Sequence, residues 1–239
     1  MTYVYIFVYS SIIGSFLHVF AQNFPQQKSF LFRRSHCDHC EKPLFYHQMI
    51  PIFSYLIQKG RTKCCEKKLS PLYIIQEICL PFLILLFYGL FKFEFMTSIH
   101  FIIFLFLYFF VLTDLYFLHV PNLMILLFFF IVCLYRFFYY SMTLIFIQFI
   151  VSLFVYSLFY FFVRKGFGLG DIKILIILGT ALGFVNSYKI FFISLVLALL
   201  AIGSAVLLQK FSRAKMIPFV PFLFLGYICY LFLEAGVVL

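Results

Sequence analysis

SIHFIIFLFLYFFVLTDL, residues 98–115, is one unbroken apolar run that closes on a carboxylate, Asp114. A bilayer's hydrocarbon core, about 30 Å thick, is crossed by roughly 20 apolar residues in a helix, and this run is of that size. A barrel strand would instead alternate apolar and polar residues over about ten positions, which it does not do. Inside a bilayer every backbone polar group must be paired within the protein, so the run reads as a helix. The carboxylate is costly there: an acid at the centre of a span costs roughly 2.5–3.5 kcal/mol even on lenient insertion scales. Asp114 therefore either ends the helix in the water interface or is kept for a function.

The same composition extends outward over the whole chain of 239 residues, which is 65% hydrophobic with a mean hydropathy of +1.11. Those values exclude an ordinary soluble domain. The fold class expected is all-α, a polytopic membrane bundle of about eight transmembrane helices over residues 3–21, 73–91, 98–115, 122–139, 142–163, 172–185, 190–209 and 217–232, the sixth being short. The first run has no basic segment before it and no clear cleavage signal after Gly14 and Ser15, so it is read as a retained helix. Three parts are expected: 1–21 as the first span, 22–72 as a cytoplasmic loop domain containing cysteines, and 73–239 as the transmembrane catalytic bundle.

Basic residues collect in cytoplasmic loops. Threading eight spans with both termini outside leaves only Lys92, Arg136 and Lys189 of the 18 basic residues on the outer side. The net charge of +10 then reads as orientation signal plus attraction to anionic lipid, and not as nucleic-acid binding. On this threading Asp114 faces the cytoplasm. So does the second acid, Asp171, in Gly166-Phe167-Gly168-Leu169-Gly170-Asp171-Ile172-Lys173.

Segment 22–72 is too small to hold a hydrophobic core of its own and needs a metal, a staple or docking on the bundle. Cys37 and Cys40 form a C-x-x-C pair, and Cys64 and Cys65 follow as neighbours. Four thiolates suit a structural zinc, with His36, His39 or His47 as substitutes should the adjacent pair not chelate together. The alternative is a set of free or redox-active thiols. Cys79, Cys133 and Cys229 fall in spans and read as packing residues.

Asp171 begins the sixth span, where an Asp can simply cap a helix. Capping does not account for the alternating glycines or for a second acid at matching depth. Two carboxylates brought together in a poorly hydrated site share a proton, one acting as base on a water and the other as acid towards a carbonyl. Gly168 and Gly170 are expected to form the loop carrying Asp171, with Gly170 letting a substrate backbone approach, whereas Gly179, within a span, serves helix packing. Lys173 either balances carboxylate charge or anchors its helix at the interface. Glu77 stands at the start of the second span, where the helix dipole favours an acid.

These fragments together resemble the type IV prepilin peptidase family, membrane aspartyl proteases of the GxGD type. The carriers, in order, are Gly14-Ser15-Phe16-Leu17, the cysteine loop, Ile50-Pro51 with Ser54, Gly60, Ser70-Pro71-Leu72-Tyr73 with Glu77, Asp114 with Val120-Pro121, Gly168-Leu169-Gly170-Asp171-Ile172-Lys173, and Ile217-Pro218-Phe219-Val220-Pro221-Phe222. His18 and Val220 depart from the family's usual residues. So does Thr62, which stands where the second C-x-x-C pair would begin; Cys65 matches its second member and Cys64 is extra. The resemblance implies cleavage of leader peptides from prepilins or pseudopilins, with Asp114 and Asp171 catalytic. It also implies N-methylation of the new N-terminus with S-adenosylmethionine, in which Glu77 would take part. A bacterial cell membrane with the active site facing the cytoplasm, and pseudopilins serving DNA uptake, complete that expectation. A proton-coupled transporter, with acids near the midplane, and a noncatalytic pilus-assembly protein are the competing classes.

Overall fold

The computed structural model describes residues 1–26, 37, 40, 42–45, 50–69, 71–163, 167–207 and 217–238. Among these lie nine α-helices: α1 (Thr2–Asn23), α2 (Phe53–Ile57), α3 (Leu72–Thr97), α4 (Ile99–Phe117), α5 (Asn122–Tyr139), α6 (Met142–Val163), α7 (Leu169–Leu182), α8 (Phe184–Leu207) and α9 (Val220–Val238). All but α2 correspond to the eight expected spans. Six are long and apolar enough to cross a membrane, while α7 and the apolar stretch Val220–Glu234 of α9 are shorter. The chain is a multi-pass helical membrane protein, and it divides into two compact units, Met1–Phe95 and Met96–Leu239.

In the first unit α1 and α3 run antiparallel, with Tyr3 edge-on to Tyr88 at one end and Gly14 against Leu80 and the Gln76 carbonyl further along. Glycine there lets the two backbones approach, the usual device between helices that have no hydrophobic drive to associate in lipid. Before α3 the chain makes two similar tight turns. The Cys37 amide donates to the Lys42 carbonyl at 2.9 Å, and the Thr62 amide donates to the Lys67 carbonyl at 2.9 Å.

In the second unit α4, α5, α7, α8 and α9 supply most of the buried side chains. Phe128 of α5 stacks on Phe106 and meets Phe110 edge-on. Phe224 of α9 packs on Phe104 and Tyr108 of α4. Two glycines set the closest helix pairs. A Cβ on Gly179 of α7 would lie 2.7 Å from the Ser152 Cβ of α6, and one on Gly226 of α9 would lie 2.9 Å from the Ile190 carbonyl oxygen of α8. Both are closer than side chains approach, so α6 and α7, like α8 and α9, touch almost backbone to backbone. Helix α7 has 14 residues, about 21 Å of rise, less than a hydrocarbon core. Its C-terminal carbonyls are met by Arg136, buried in the last turn of α5, whose Nη1 donates to Thr180 at 2.9 Å and Ala181 at 2.7 Å. A guanidinium at a helix C-terminus satisfies orphan carbonyls and complements the dipole.

Candidate active site

Asp114 lies in the last turn of α4 and is 6% exposed. The helix stops just beyond it, where Leu118 turns left-handed (φ 51°) and its amide donates to the Asp114 carbonyl at 2.9 Å. The carboxylate Oδ2 accepts a hydrogen bond at 3.1 Å from the Val220 amide at the start of α9. An amide in the first turn of a helix has no partner within that helix, so this one is available to an anion.

Asp171 is 9% exposed and sits in the first turn of α7. The Gly168 amide donates to its Oδ2 at 3.2 Å. The capping role weighed above is thus fulfilled. Residues 118–122 join the two acids. Val120 lies where a Cβ on Gly170 would reach to 3.3 Å, and Asn122 Oδ1 accepts from Lys173 Nζ at 2.8 Å.

Two expectations change here. Gly168 and Gly170 do not form a free loop: Gly168 is the N-cap of α7 and Gly170 lies within its first turn. The missing Cβ of Gly170 makes room for Val120. Lys173 serves as a link between α7 and the start of α5, and its exposed ammonium is satisfied by an amide oxygen. The acids sit at the ends of α4 and α7 and not at mid-helix, which speaks against the transporter reading.

An aromatic cluster that the sequence reading missed holds the segments leading into α7 and α9. Phe167 packs on Phe219 with centroids 4.8 Å apart, and both meet Phe191, which also contacts Phe159. In a chain with 39 phenylalanines these four carry no mark of their own. The one available signal was the proline-flanked stretch 217–222, which contains both Phe219 and the amide-donating Val220.

In the first unit the Sγ atoms of Cys37, Cys40, Cys64 and Cys65 all lie within 4.8 Å of one another. Thiolates at about 2.3 Å from a tetrahedral zinc stand roughly 3.8 Å apart. The separations of 3.9 Å for Cys37 and Cys65 and 4.0 Å for the adjacent pair match that spacing, while Cys40 and Cys64 stand closer, at 3.2 Å. Thr62 occupies in the second turn the place of Cys37 in the first, and its hydroxyl lies 3.1 Å from the Cys65 sulfur. Cys64 supplies the fourth thiol that Thr62 cannot. Hydrogen bonds with Cys40 and Cys37 push the Cys64 thiol up to about 12, whereas the Thr62 hydroxyl draws Cys65 down to about 7. His36, His39 and His47 lie outside the described residues.

Glu77, 8% exposed, has both carboxylate oxygens engaged. The Ser15 hydroxyl donates to Oε1 at 3.0 Å, and the Ile52 amide donates to Oε2 at 2.6 Å. Ile52 holds φ at 64°, costly for a β-branched residue, and the bond to Glu77 helps hold it there. The expectation of a dipole-favoured acid at a helix start does not describe this contact.

Comparison with known families gives two matches. Residues 8–91 match the Bacterial Peptidase A24 N-terminal domain, and residues 101–203 match the Type IV leader peptidase family. The chain is 28% identical over 219 residues to the prepilin leader peptidase/N-methyltransferase of Bacillus subtilis (strain 168), covering 90% of this chain and 88% of that protein. It is 29% identical over 80 residues to the Klebsiella pneumoniae protein of the same name, covering 31% of this chain and 35% of that one. It is 34% identical over 85 residues to a type 4 prepilin-like proteins leader peptide-processing enzyme of Escherichia coli O78:H11, covering 28% and 32%. No solved structure matches the chain.

Proposed function

We propose that this chain, which belongs to the type IV leader peptidase family, removes leader peptides from prepilins or pseudopilins at the cytoplasmic membrane face, with Asp114 and Asp171 as its catalytic pair. The observation that carries the assignment is the joining of two buried carboxylates at one end of the second unit by residues 118–122. A prepilin precursor has a hydrophobic helix behind a charged leader, so its scissile bond lies near the interface, at the depth of these helix ends.

The chemistry follows from two acids that cannot both ionise easily when close and poorly hydrated. One carboxylate takes a proton from water, which attacks the scissile carbonyl while the other, protonated, donates to that oxygen; on collapse the first passes the water's proton to the leaving amine and the second recovers a proton from the intermediate's hydroxyl, restoring the pair. The Val220 and Gly168 amides hold the two carboxyl groups in place. A structural zinc fits the four thiols of Cys37, Cys40, Cys64 and Cys65, and when bound it would staple the two turns together. Methylation of the new N-terminus, carried in the relatives' names, calls for S-adenosylmethionine as methyl donor. Glu77, held by the Ser15 hydroxyl and the Ile52 amide, positions the segment around Ile52.

The test incubates purified protein with a prepilin and follows the shortened product on a gel. Cleavage by the native chain and loss of it in Asp114→Asn and in Asp171→Asn, each at normal protein level, supports the assignment. Intact prepilin with the native chain returns the noncatalytic assembly reading.

A further inference from the structure

We propose that residues 50–69, α2 and the basic turn after it, form a surface that lies on anionic lipid headgroups, with Phe53, Leu56 and Ile57 entering the interface. These three apolar residues recur at the spacing of one helix face, and they are 64%, 59% and 66% exposed. A five-residue helix does not persist alone in water, and packing among the described residues leaves this face uncovered. Beside it Lys59, Arg61, Lys63, Lys67 and Lys68 are exposed, with Glu66 as the one acid from 50 to 69.

The apolar face and the basic turn move as one body. The Gly60 amide donates to Tyr55 and the Arg61 amide to Gln58, tying the turn to α2. Gly60 takes φ 69° and lies against the Tyr55 ring, and the Leu69 amide closes the turn on the Gly60 carbonyl at 2.8 Å.

Depth is set independently. The Ile52 amide, at the start of α2, is bonded to Glu77, and Glu77 falls four residues into the apolar stretch Ile74–Phe91 of α3, about 5 Å along the helix. The start of α2 is therefore held at the headgroup boundary, the depth at which short amphipathic helices bury an apolar face. Anionic headgroups attract a cluster of this sign. The basic leader of a prepilin, the other occupant to weigh, would meet like charge.

The chain has no tryptophan, so a single one reports cleanly. Full-length Leu56→Trp, and Ile57→Trp as a second reporter, are placed in nanodiscs of phosphatidylcholine with or without phosphatidylglycerol, using lipids brominated on the acyl chain. The expected result is blue-shifted emission quenched at least twofold in the discs containing phosphatidylglycerol, with Gln58→Trp on the other side of α2 unquenched. Replacing Lys59, Lys63, Lys67 and Lys68 by Gln in the Leu56→Trp background should halve that quenching. Water-like, unquenched emission from both reporters overturns the proposal. So does quenching that ignores lipid charge and the four glutamines, and so does quenching relieved by adding prepilin, which would make this a peptide surface.

Discussion

The cysteine-bearing block of the first unit and the acid-bearing end of the second are held by different physics. Among the described residues between 37 and 69 few apolar side chains are buried, and order comes from four thiols within 4.8 Å, two backbone turns and a carboxylate that grips Ser15 and Ile52. Around Asp114 and Asp171 order comes from ring packing, from glycines that let helices touch, and from two backbone amides. The first is a set of cross-links that can be undone one at a time; the second is a packed bundle end whose parts fail together. A segment too small for a core needs the former, whereas carboxylates that must be held to fractions of an ångström need the latter.

The largest effect expected to sharpen this contrast is on rate. Asp114→Asn or Asp171→Asn should lower cleavage by about 10² to 10⁴-fold, the usual range for losing a general acid or base, with no change in thermal unfolding. Cys37→Ser or chelation should do the reverse. Residues 37–69 should become open to limited proteolysis, while initial cleavage rates fall by less than about tenfold, since a structural metal contributes to folding and not to the reacting atoms. A collapse of cleavage on chelation, with residues 37–69 still protected, would erase the distinction.

Helix packing comes next. Gly226→Ala puts a methyl against the Ile190 carbonyl and the Ser194 amide, both backbone atoms that cannot swing away, and should cost about 1–3 kcal/mol, as overpacking does. Gly179→Ala should cost somewhat less, because the obstacle is the small side chain of Ser152. Gly170→Ala should be the mildest in stability, since Val120 need give only a few tenths of an ångström, and should show in cleavage because α7 then shifts relative to Asp114. Denaturation midpoints and gel assays on the three variants rank them.

The smallest effect is chemical. In metal-free protein near pH 7.5, Cys65, drawn down to about 7 by Thr62, is largely thiolate, while Cys64, pushed up to about 12, is not. Iodoacetamide should therefore label Cys65 first, and lowering the pH through 7 should slow that labelling as the thiolate is protonated. Thr62→Val should slow it at pH 7.5. Equal labelling of Cys64 and Cys65, mapped by mass spectrometry, would contradict the assignment of the hydroxyl contact.

The helices were legible because bilayer chemistry admits few alternatives: the run ending at Asp114 could be little else, and Pro218 and Pro221 marked the start of the last helix to within a few residues. The four cysteines were legible as a set, though the exchange of Thr62 for Cys64 needed the backbone turns to be seen side by side. Gly170 was legible as a close approach, but a missing Cβ does not say to what, and the neighbouring Val120 had to be seen in the fold. Arg136 was counted only as charge on the outer side; its bonds to the end of α7 arise from packing between α5 and α7, which no local pattern records. The Val220 amide and the Phe167–Phe219 contact were hidden for the same reason, and the double engagement of Glu77 depends on a strained Ile52 that propensity would never place there.

The central claim is that Asp114 and Asp171 act as one unit, and a double-mutant cycle tests it most directly. Cleavage rates of a prepilin are measured for the native chain, Asp114→Asn, Asp171→Asn and the double variant, all at matched levels of folded protein. Groups that share one proton and one step are strongly non-additive, so the double variant should cleave no more slowly than either single one. A double variant slower by the product of the two single effects, or appreciable cleavage by either single variant, would contradict a shared dyad.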